Sequence, residues 1–344
     1  MNRSPGTSVI VPTHERREPL RRALLSLARQ TVAAEEYEVV VSVDGSRDGT
    51  EEMLAALDVP YRLHVVSGPR GGRAHACNAA LKEARGQVAV ILDDDMQVVP
   101  EFVERHRSHH PPGSRLCVMG AVPVELGPSS SPLERYMGGK FNDHLERLAE
   151  PEHAFVPRDF YSGNASLRTE VALEAGGFDE SFTAYGNEDV DLSLRLGAAG
   201  VSLAYDAAAL AHQEFAKELP AVLRDMREKG QTTVALARAH SEVFPQLRLA
   251  DPWESSRPWL ATRALLLVLG RRLASVPPAV FRALRMLERA GAGRQPLFYR
   301  AAIDYAFWAG VDEALRESDC DGDLKRLSQE LHRGPIDLLL QRQR

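Results

Sequence analysis

The sequence is poor in several features that would point to particular classes of protein. Only three of its 344 residues are cysteine, Cys77, Cys117 and Cys320, and no two of them form a C-x-x-C pair. Widely spaced cysteines in an odd number predict reduced thiols rather than a disulfide framework. The formal net charge of −6 lacks the basic surplus of a general nucleic-acid binder. We therefore expect no nucleic-acid partner.

Long apolar segments are also missing. No uninterrupted apolar run reaches the roughly 18 residues that a membrane-spanning helix needs. Residues 1–12 carry no basic-then-apolar leader and already resemble a first strand. From these absences we expect a cytoplasmic protein, attached at most to the cytoplasmic face of a membrane.

The first half of the chain alternates short β-branched runs with amphipathic segments. The pattern predicts strands at 8–12, 37–43, 63–66 and 87–92, and helices at 19–30, 50–57 and 71–85. This order is typical of an α/β fold with a mainly parallel, helix-covered sheet, in which ligands bind beyond the carboxyl ends of the strands. Pro12, Thr13, Asp44 and the acid triplet Asp93–Asp95 stand at such ends. We therefore expect them to converge on one crevice.

From about residue 217 the pattern becomes helical. Helices are predicted at 217–244, 259–274, 278–290 and 295–315, separated by proline and glycine. We therefore predict an α/β domain over residues 1–216 and an α-helical C-terminal extension over 217–344.

The segment 257–300 within this extension has an unusual charge pattern. It contains nine arginines, no lysine, and Glu288 as its only acid, with leucines and aromatics in between. A basic amphipathic helix can lie on anionic lipid, which would give a peripheral membrane contact. Alternatively, the arginines pair with acids elsewhere in this acidic chain. The sequence leaves both interpretations open.

The acid triplet is the most informative feature of the chain. Residues 90–95 read V-I-L-D-D-D, a buried strand that ends in three carboxylates. Neighbouring carboxylates repel one another, and a hard divalent cation such as Mg²⁺ or Mn²⁺ would resolve the conflict by binding Asp93 and Asp95. Such a cation would in turn hold an anion, such as a diphosphate. The alternative is a solvated acidic turn that caps a helix.

Several motifs, in order along the chain, resemble those of the family 2 glycosyltransferases. They are S-V-I-V-P-T-H-E-R at 8–16, D-G-S-R-D-G-T at 44–50, L-D-D-D at 92–95, S-G-N-A-S-L-R at 162–168 followed by G-G-F-D at 176–179, and G-N-E-D-V-D-L at 186–192. Each motif alone is weak, but the ordered set is specific and covers residues 6–215. The resemblance implies a GT-A fold and transfer of a sugar from a nucleotide-diphosphate sugar, with inversion at the anomeric carbon. It also implies a nucleotide-binding half at about 1–98 and an acceptor half at about 99–216.

The resemblance assigns residues to the donor and its metal. The implied donor-binding residues are Pro12, Thr13, Glu15, Asp44, Arg73, Asn78, Asp93 and Asp94. Asp95 is implied as the direct metal ligand, Asp93 as a ligand of the ribose or of a metal-bound water, and His212 as a further metal ligand. UDP is the nucleotide that the family favours, with GDP and dTDP left open.

The resemblance also assigns the chemistry of transfer. Asp189 is implied as the general base that takes the proton of the acceptor hydroxyl, and Glu188 as a hydrogen-bond partner of the acceptor. Asp191, two residues further on, cannot share their helix face and is expected to be structural. Gly163 and Asn164 are implied as substrate-binding residues, and we expect them to follow a strand and precede a helix.

Other functions are compatible with parts of the pattern. A sugar-nucleotide pyrophosphorylase would carry a glycine- and basic-rich loop after the first strand, but residues 12–17 contain no glycine. A dinucleotide dehydrogenase would need G-x-G-x-x-G there, which is also missing. A catalytically inactive nucleotide-sugar-binding or scaffold protein is the remaining alternative. The acceptor is left open among a glycan, a lipid-linked acceptor and a small molecule, and the basic extension favours a lipid-linked one. The sequence does not predict the oligomeric state.

Overall fold

The structure is a computed structural model that describes residues 5–215, 217–316 and 322–332. Cys320 and the end of the predicted extension, 333–344, lie outside the described residues. Cys77 and Cys117 are both buried free thiols, and burial raises the pKa of each to about 12.

The described residues divide into two compact units. Unit 1 comprises 5–130, 137–183 and 188–215; unit 2 comprises 131–136, 184–187 and the described residues from 217 onward. Two short segments that lie within the predicted α/β domain therefore group with the helical unit. The predicted nucleotide-binding and acceptor halves stay a prediction.

Unit 1 is built around a seven-stranded sheet. The strands in chain order are β1 (Thr7–Thr13), β2 (Tyr37–Asp44), β3 (Arg62–Gly68), β4 (Val88–Leu92), β5 (Met96–Val98), β6 (Leu116–Gly120), β7 (Asn164–Arg168), β8 (Ser202–Asp206) and β9 (Ala211–Gln213). The sheet order is β3-β2-β1-β4-β7-β6-β8, and β5 pairs with β9 separately. Only β7 runs antiparallel to its neighbours in the large sheet, so the prediction of a mainly parallel sheet is confirmed.

The seven helices given predicted bounds are present, with ends that differ by a few residues. The helices in chain order are α1 (Arg17–Leu27), α2 (Thr50–Ala56), α3 (Arg73–Glu83), α4 (Phe102–Ser108), α5 (Pro132–Leu148), α6 (Thr169–Glu174), α7 (Glu188–Ala198), α8 (Leu219–Ala239), α9 (Arg257–Arg272), α10 (Val276–Arg289), α11 (Pro296–Arg316) and α12 (Gly322–His332). Three of them, α4, α5 and α12, were not predicted. Within the described part of the chain, no helix is both long and apolar enough to cross a bilayer.

The central strands are buried on both faces. Every residue of β1 and β2 is buried, as expected for parallel strands covered on both sides. The side chains alternate between two cores: Val9 and Val11 pack with Leu24 of α1, whereas Ile10 packs with Cys77 of α3. This double cover fixes the register of the sheet and therefore the position of the residues at its carboxyl edge.

The expected position of Gly163-Asn164 after a strand is wrong. Asn164 is itself the first residue of β7, which pairs antiparallel with β4, so that Asn164 stands opposite Leu92. Ala165 and Leu167, two residues apart on one face of β7, are both buried, as expected for a strand inside the sheet. The sequence showed a turn motif there but not the strand that follows it.

Unit 2 holds its helices close together through glycine. A Cβ added at Gly230 of α8 would overlap the backbone carbonyl of Phe307, and one added at Gly310 of α11 would overlap that of Arg227. Since no side chain fits at either position, the two helix backbones approach closely. Their contact forms the centre of the apolar core of this unit, together with Trp308.

Candidate active site

The three members of the acid triplet after β4 differ in exposure. The side chains of Asp94 and Asp95 are only 8% and 11% exposed, whereas that of Asp93 is 32% exposed. Thr13 at the end of β1 donates a hydrogen bond of 2.7 Å to Asp94 Oδ2, and Arg16 Nε lies 3.1 Å from Asp94 Oδ1. Burial raises the pKa of Asp94 to about 7, against the opposing effect of Arg16. Asp94 therefore ties the ends of β1 and β4 together.

The outer two aspartates each contact one arginine. Arg16 Nη2 donates to Asp95 Oδ2 at 2.9 Å, and Arg73 Nη2 donates to Asp93 Oδ1 at 2.7 Å. Burial and then the negative charge of Asp93 raise the pKa of Asp95, and Arg16 opposes both effects. The repulsion that the sequence predicts among these carboxylates is therefore present in the fold.

Asp44, at the end of β2, shapes the loop before α3. Its carboxylate accepts hydrogen bonds from Gly71 N at 2.6 Å and from Gly72 N at 2.9 Å. Gly72 has a φ of 92°, in the left-handed region that favours glycine. The two bonds place Arg73, the first residue of α3, over the carboxyl edge of the sheet.

Arg73 gathers the polar residues of the site. Besides Asp93, its Nη1 lies 2.8 Å from Ser162 Oγ, 3.5 Å from Asp189 Oδ1 and 3.8 Å from Glu188 Oε1. Three carboxylates from two parts of the chain thus share one guanidinium. Arg73 therefore brings Asp93 close to Glu188 and Asp189.

The two acids at the start of α7 differ in exposure. The side chain of Asp189 is 26% exposed and accepts a hydrogen bond from the Ser162 hydroxyl, whereas that of Glu188 is 11% exposed. Among the described residues, Glu188 Oε2 is buried without a hydrogen-bond partner. Burial and the neighbouring charge of Asp189 raise the pKa of Glu188. Asp191 instead pairs with Arg195 at 2.7 Å, consistent with the structural role expected for it.

Gly163 lies against the acid triplet. Its carbonyl oxygen accepts a hydrogen bond of 2.9 Å from Asp93 N. A Cβ added at Gly163 would lie 2.5 Å from Asp93 Oδ2. The absence of a side chain at residue 163 therefore leaves the space that the Asp93 carboxylate occupies.

Asn164 is fully buried beneath this position. Its Nδ2 donates to the backbone carbonyls of Ala121 at 3.1 Å and Ala209 at 2.8 Å, and His106 Nε2 lies 2.8 Å from its Oδ1. The predicted contact between Asn164 and a substrate would require these bonds to break. In this conformation the side chain joins β7 to the neighbouring segments.

Two predicted residues have side-chain partners outside the acid triplet. Asn78 Nδ2 donates to Phe178 O and to Glu180 Oε1, and its Oδ1 accepts from Phe178 N, so it anchors the loop before α7. His212 lies in β9, is partly exposed, and has its Nδ1 2.9 Å from Glu125 Oε1. Their predicted contacts with donor phosphate and metal stay predictions.

The residues after β1 form a rim at the same edge. Pro12 is buried within β1, and Glu15 is exposed. Glu15 Oε1 accepts a hydrogen bond of 2.7 Å from Arg47 N, and its own backbone N–H donates to Ser46 Oγ at 2.9 Å. The φ of Glu15 is 54°, a left-handed conformation that is unusual for a residue other than glycine. These bonds hold together the loops that follow β1 and β2.

Sequence reasoning missed two members of the site, Arg16 and Ser162. Arg16 lies in the motif at 8–16 and Ser162 in the motif at 162–168, but the sequence suggested no functional role for either. Arg16 follows β1 by three residues, and the rule that ligands bind at the carboxyl edge could have singled it out. Ser162 lacked such a signal, because its contact with Asp189 depends on how α7 packs.

The chemistry of the triplet fits a hard cation. Asp93 and Asp95 supply partly exposed carboxylate oxygens, which Mg²⁺ and Mn²⁺ prefer. In the part of the chain that the structure describes, no three His, Cys, Asp or Glu side chains gather into a complete cation site. The fit is therefore that of a metal held by one or two carboxylates together with phosphate and water.

Known proteins share this fold and sequence pattern. A validoxylamine A glucosyltransferase of Streptomyces hygroscopicus subsp. jinggangensis (strain 5008) is 31% identical over 226 residues, 58% of this chain and 53% of that protein. The dolichol-phosphate mannosyltransferase of Pyrococcus furiosus is 32% identical over 166 residues, 48% of this chain and 46% of that protein. The chain thus spans about half the length of these curated relatives.

A solved structure resembles nearly the whole chain. The mannosyltransferase PcManGT from Pyrobaculum calidifontis, in complex with GDP-Man and Mn²⁺, has a TM-score of 0.60 at 20% identity and covers 92% of this chain and 89% of its own. At this identity the likeness shows the fold alone, which is GT-A-like as predicted. The family model of glycosyl transferase family 2 matches residues 8–171. This part of the chain therefore resembles glycosyl transferase family 2.

Proposed function

We propose that this protein is a glycosyltransferase that moves a sugar from a nucleotide-diphosphate sugar to an acceptor hydroxyl with inversion. The observation that carries the proposal is the meeting of Asp93, Glu188 and Asp189 at the guanidinium of Arg73. A donor-binding carboxylate and a candidate base thereby lie at one edge of the sheet. The match of residues 8–171 to the family 2 model supports the same reaction.

Asp189 is the proposed general base. As the acceptor oxygen bonds to the anomeric carbon, the bond from that carbon to the diphosphate oxygen breaks and Asp189 takes the hydroxyl proton. The hydrogen bond from Ser162 orients the carboxylate, and its 26% exposure leaves it open to an acceptor. Glu188 is the proposed hydrogen-bond partner of the acceptor, since the raised pKa of its buried carboxyl favours a proton that it can donate.

The donor is proposed to lie along the carboxyl edge. Pro12, Thr13 and Glu15 would line the ribose and base, with Asp44 as acceptor for the base. A carboxylate oxygen accepts more than one hydrogen bond, so the two glycine contacts of Asp44 leave room for this role. Arg73 adds positive charge for the diphosphate.

A divalent metal fits this arrangement. When held by Asp93 and Asp95, Mn²⁺ or Mg²⁺ would neutralise charge on the departing diphosphate. UDP is the nucleotide proposed first, from the family resemblance, with GDP and dTDP as the competing choices.

The acceptor class and the location are also proposals. The names of the two relatives point to different acceptors, validoxylamine A, a small molecule, and dolichol phosphate, a lipid. We propose a cytoplasmic protein, because its described cysteines are free and buried.

The test separates turnover from binding. Asp189→Asn is expected to lower turnover by roughly 10²–10⁴-fold, the range for loss of a general base, with donor binding retained. Binding is measured as the thermal shift with UDP, GDP, dTDP and CDP, each with and without Mn²⁺. Asp58→Asn, in an exposed loop, is the control and should leave both quantities unchanged. If turnover survives in Asp189→Asn, the base assignment is wrong.

The same panel tests the inactive alternative. A metal-dependent shift with one nucleotide, lost in Asp95→Ala, would support the donor site. If that shift occurs but no sugar donor is turned over, the protein is a nucleotide-sugar binder rather than a transferase.

A further inference from the structure

Helix α10 is unusual among the helices of unit 2. None of its fourteen residues is buried. Val280 and Phe281 are half-buried and pack against the apolar core of this unit, so one side of the helix faces inward. The opposite side is therefore exposed.

The exposed side carries two stripes along the helix. At about 100° of rotation per residue, Arg282, Arg285 and Arg289 fall on one stripe. Met286 falls beside it, and Leu287 falls about 100° further round the helix, at the far edge of the exposed side. Met286 and Leu287 are 65% and 51% exposed. Ala279 and Ala283 lie between them and complete the apolar stripe. The face is thus amphipathic in its own right, in addition to the inward face that packs on the core.

The arginines of this face differ from others in the segment 257–300. Arg263 and Arg271 pair with the buried acids Asp304 and Asp312, as one of the two interpretations of the sequence predicts. Among the described residues, no acid lies within salt-bridge distance of the three arginines of α10. The only acid of the helix, Glu288, accepts a hydrogen bond of 3.0 Å from Tyr299 OH.

We propose that this face of α10 docks on an anionic lipid bilayer. Met286 and Leu287 would enter the interface between headgroups and acyl chains, and the arginine stripe would contact lipid phosphates. The charge pattern selects this occupant, because an apolar stripe beside unpaired arginines matches a surface that is apolar below and negative above. The inference goes beyond the proposed transferase activity and does not depend on it.

Vesicle flotation of the full chain, without nucleotide or metal, tests this docking. The wild type is expected to float with vesicles of phosphatidylcholine and phosphatidylglycerol and to stay unbound with phosphatidylcholine alone. Binding should weaken as salt rises, since surface charges are screened. The triple variant Arg282→Gln, Arg285→Gln, Arg289→Gln should bind roughly a hundredfold more weakly, at about 1 kcal/mol per arginine.

Matched variants separate this face from a general effect of charge or apolar surface. The triple variant Arg21→Gln, Arg29→Gln, Arg158→Gln removes the same charge at exposed positions of unit 1 and should bind like the wild type. Leu287→Ser should weaken binding, whereas Leu173→Ser, at a leucine of similar exposure, should not.

Three results would overturn the proposal. One is the absence of wild-type binding to anionic vesicles, and another is an equal loss in the two triple variants. The third is a wild-type dimer, seen in sedimentation velocity, that forms as the concentration rises and is abolished by Leu287→Ser, while the wild type does not bind vesicles. The face would then join two copies of the chain.

Discussion

Arg73 Nη2 lies 2.7 Å from Asp93 Oδ1, which links the first turn of α3 to the end of β4. The same guanidinium lies 3.5 Å from Asp189 Oδ1. Through Arg73, a carboxylate on the proposed donor side and the proposed base are held at one point. The relative position of the two carboxylates thus depends on one cation.

Replacing Arg73 should therefore impair transfer more than stability. For Arg73→Gln we expect kcat to fall by roughly 10²–10³-fold, the loss typical of one preorganised electrostatic contact. Arg73→Lys should recover part of this, because it keeps the charge but not the planar, multiply donating group. Steady-state kcat and donor KM are measured separately for each variant. Arg85→Gln, exposed near the end of α3, is the control. Equal rates for Arg73→Gln and wild type would remove Arg73 from the site.

Gly163 should tolerate no side chain. In Gly163→Ala the new methyl would lie 2.5 Å from Asp93 Oδ2, so the carboxylate must move. We expect kcat to fall by roughly tenfold to a hundredfold, since small misplacements of reacting groups are costly. Gly197→Ala is the matched control, because it lies in α7 with open space around it and should stabilise the helix by roughly 0.5–1 kcal/mol. Full activity of Gly163→Ala at an unchanged melting temperature would contradict this prediction.

The members of the acid triplet should separate in their response to metal. Chelation is expected to abolish transfer, and added Mn²⁺ should restore it. Asp95→Asn should raise the Mn²⁺ concentration needed for half-maximal activity by roughly tenfold or more. Asp94→Asn should instead lower the melting temperature, because it weakens contacts to Thr13 and Arg16, at a cost of roughly 1–3 kcal/mol. The measurement is a Mn²⁺ titration of activity beside a thermal melt. An identical metal response in the two variants would show that the triplet does not divide in this way.

Two buried histidines should each contribute stability that is lost as the pH falls. Asn164 Oδ1 can only accept, so His106 donates from Nε2 and its Nδ1 accepts from Ser166; His110 Nε2 donates to Ser166. Burial lowers the pKa of His106 to about 3 and that of His110 to about 4.

The direction of the effect follows from proton binding. Below the usual histidine pKa of about 6.5, the unfolded chain binds protons that the folded chain excludes. The contribution of the histidines to the free energy of unfolding is then expected to fall as the pH drops from 6.5 towards 3–4, by up to about 1.4 kcal/mol per pH unit for each histidine. The carboxyls of Asp94 and Glu188, whose pKa values are raised, contribute in the opposite direction over part of this range. Urea unfolding between pH 4 and 8 measures this slope.

Variants identify the source of that slope. His106→Gln should remove the His106 contribution, up to about 1.4 kcal/mol per pH unit, from the slope, whereas His64→Gln, at a partly exposed position in β3, should leave the slope unchanged. If His106→Gln retains the wild-type slope, the acid sensitivity arises elsewhere.

The sheet and the position of its polar edge were predictable because they rest on local signals. β1 and β2 are continuous apolar runs that end in Thr13 and Asp44, and the carboxyl ends of parallel strands necessarily share one edge. The helical extension was predictable from its spacing. The strand β7 was not, because its first residue, Asn164, looks like part of a turn and pairs with β4 only through a long-range contact.

Within the site, the residue types and their edge of the sheet were predictable, but their partners were not. Residues 93–95 are all aspartate, and only packing buries Asp94 against Thr13 and leaves the Asp93 side chain the most exposed of the three. Asn78 was expected at a phosphate, yet its hydrogen bonds go to the loop before α7.

By itself, the sequence determined the order of the first four strands and their helices, the helical extension, and the resemblance of residues 8–171 to family 2, since apolar periodicity and ordered motifs are local properties of the chain. Tertiary structure decided which acids meet Arg73, why Asn164 is buried, and which face of α10 remains exposed. These outcomes depend on contacts between residues far apart in the chain. Such contacts are set by the packing of whole helices and strands rather than by any local pattern.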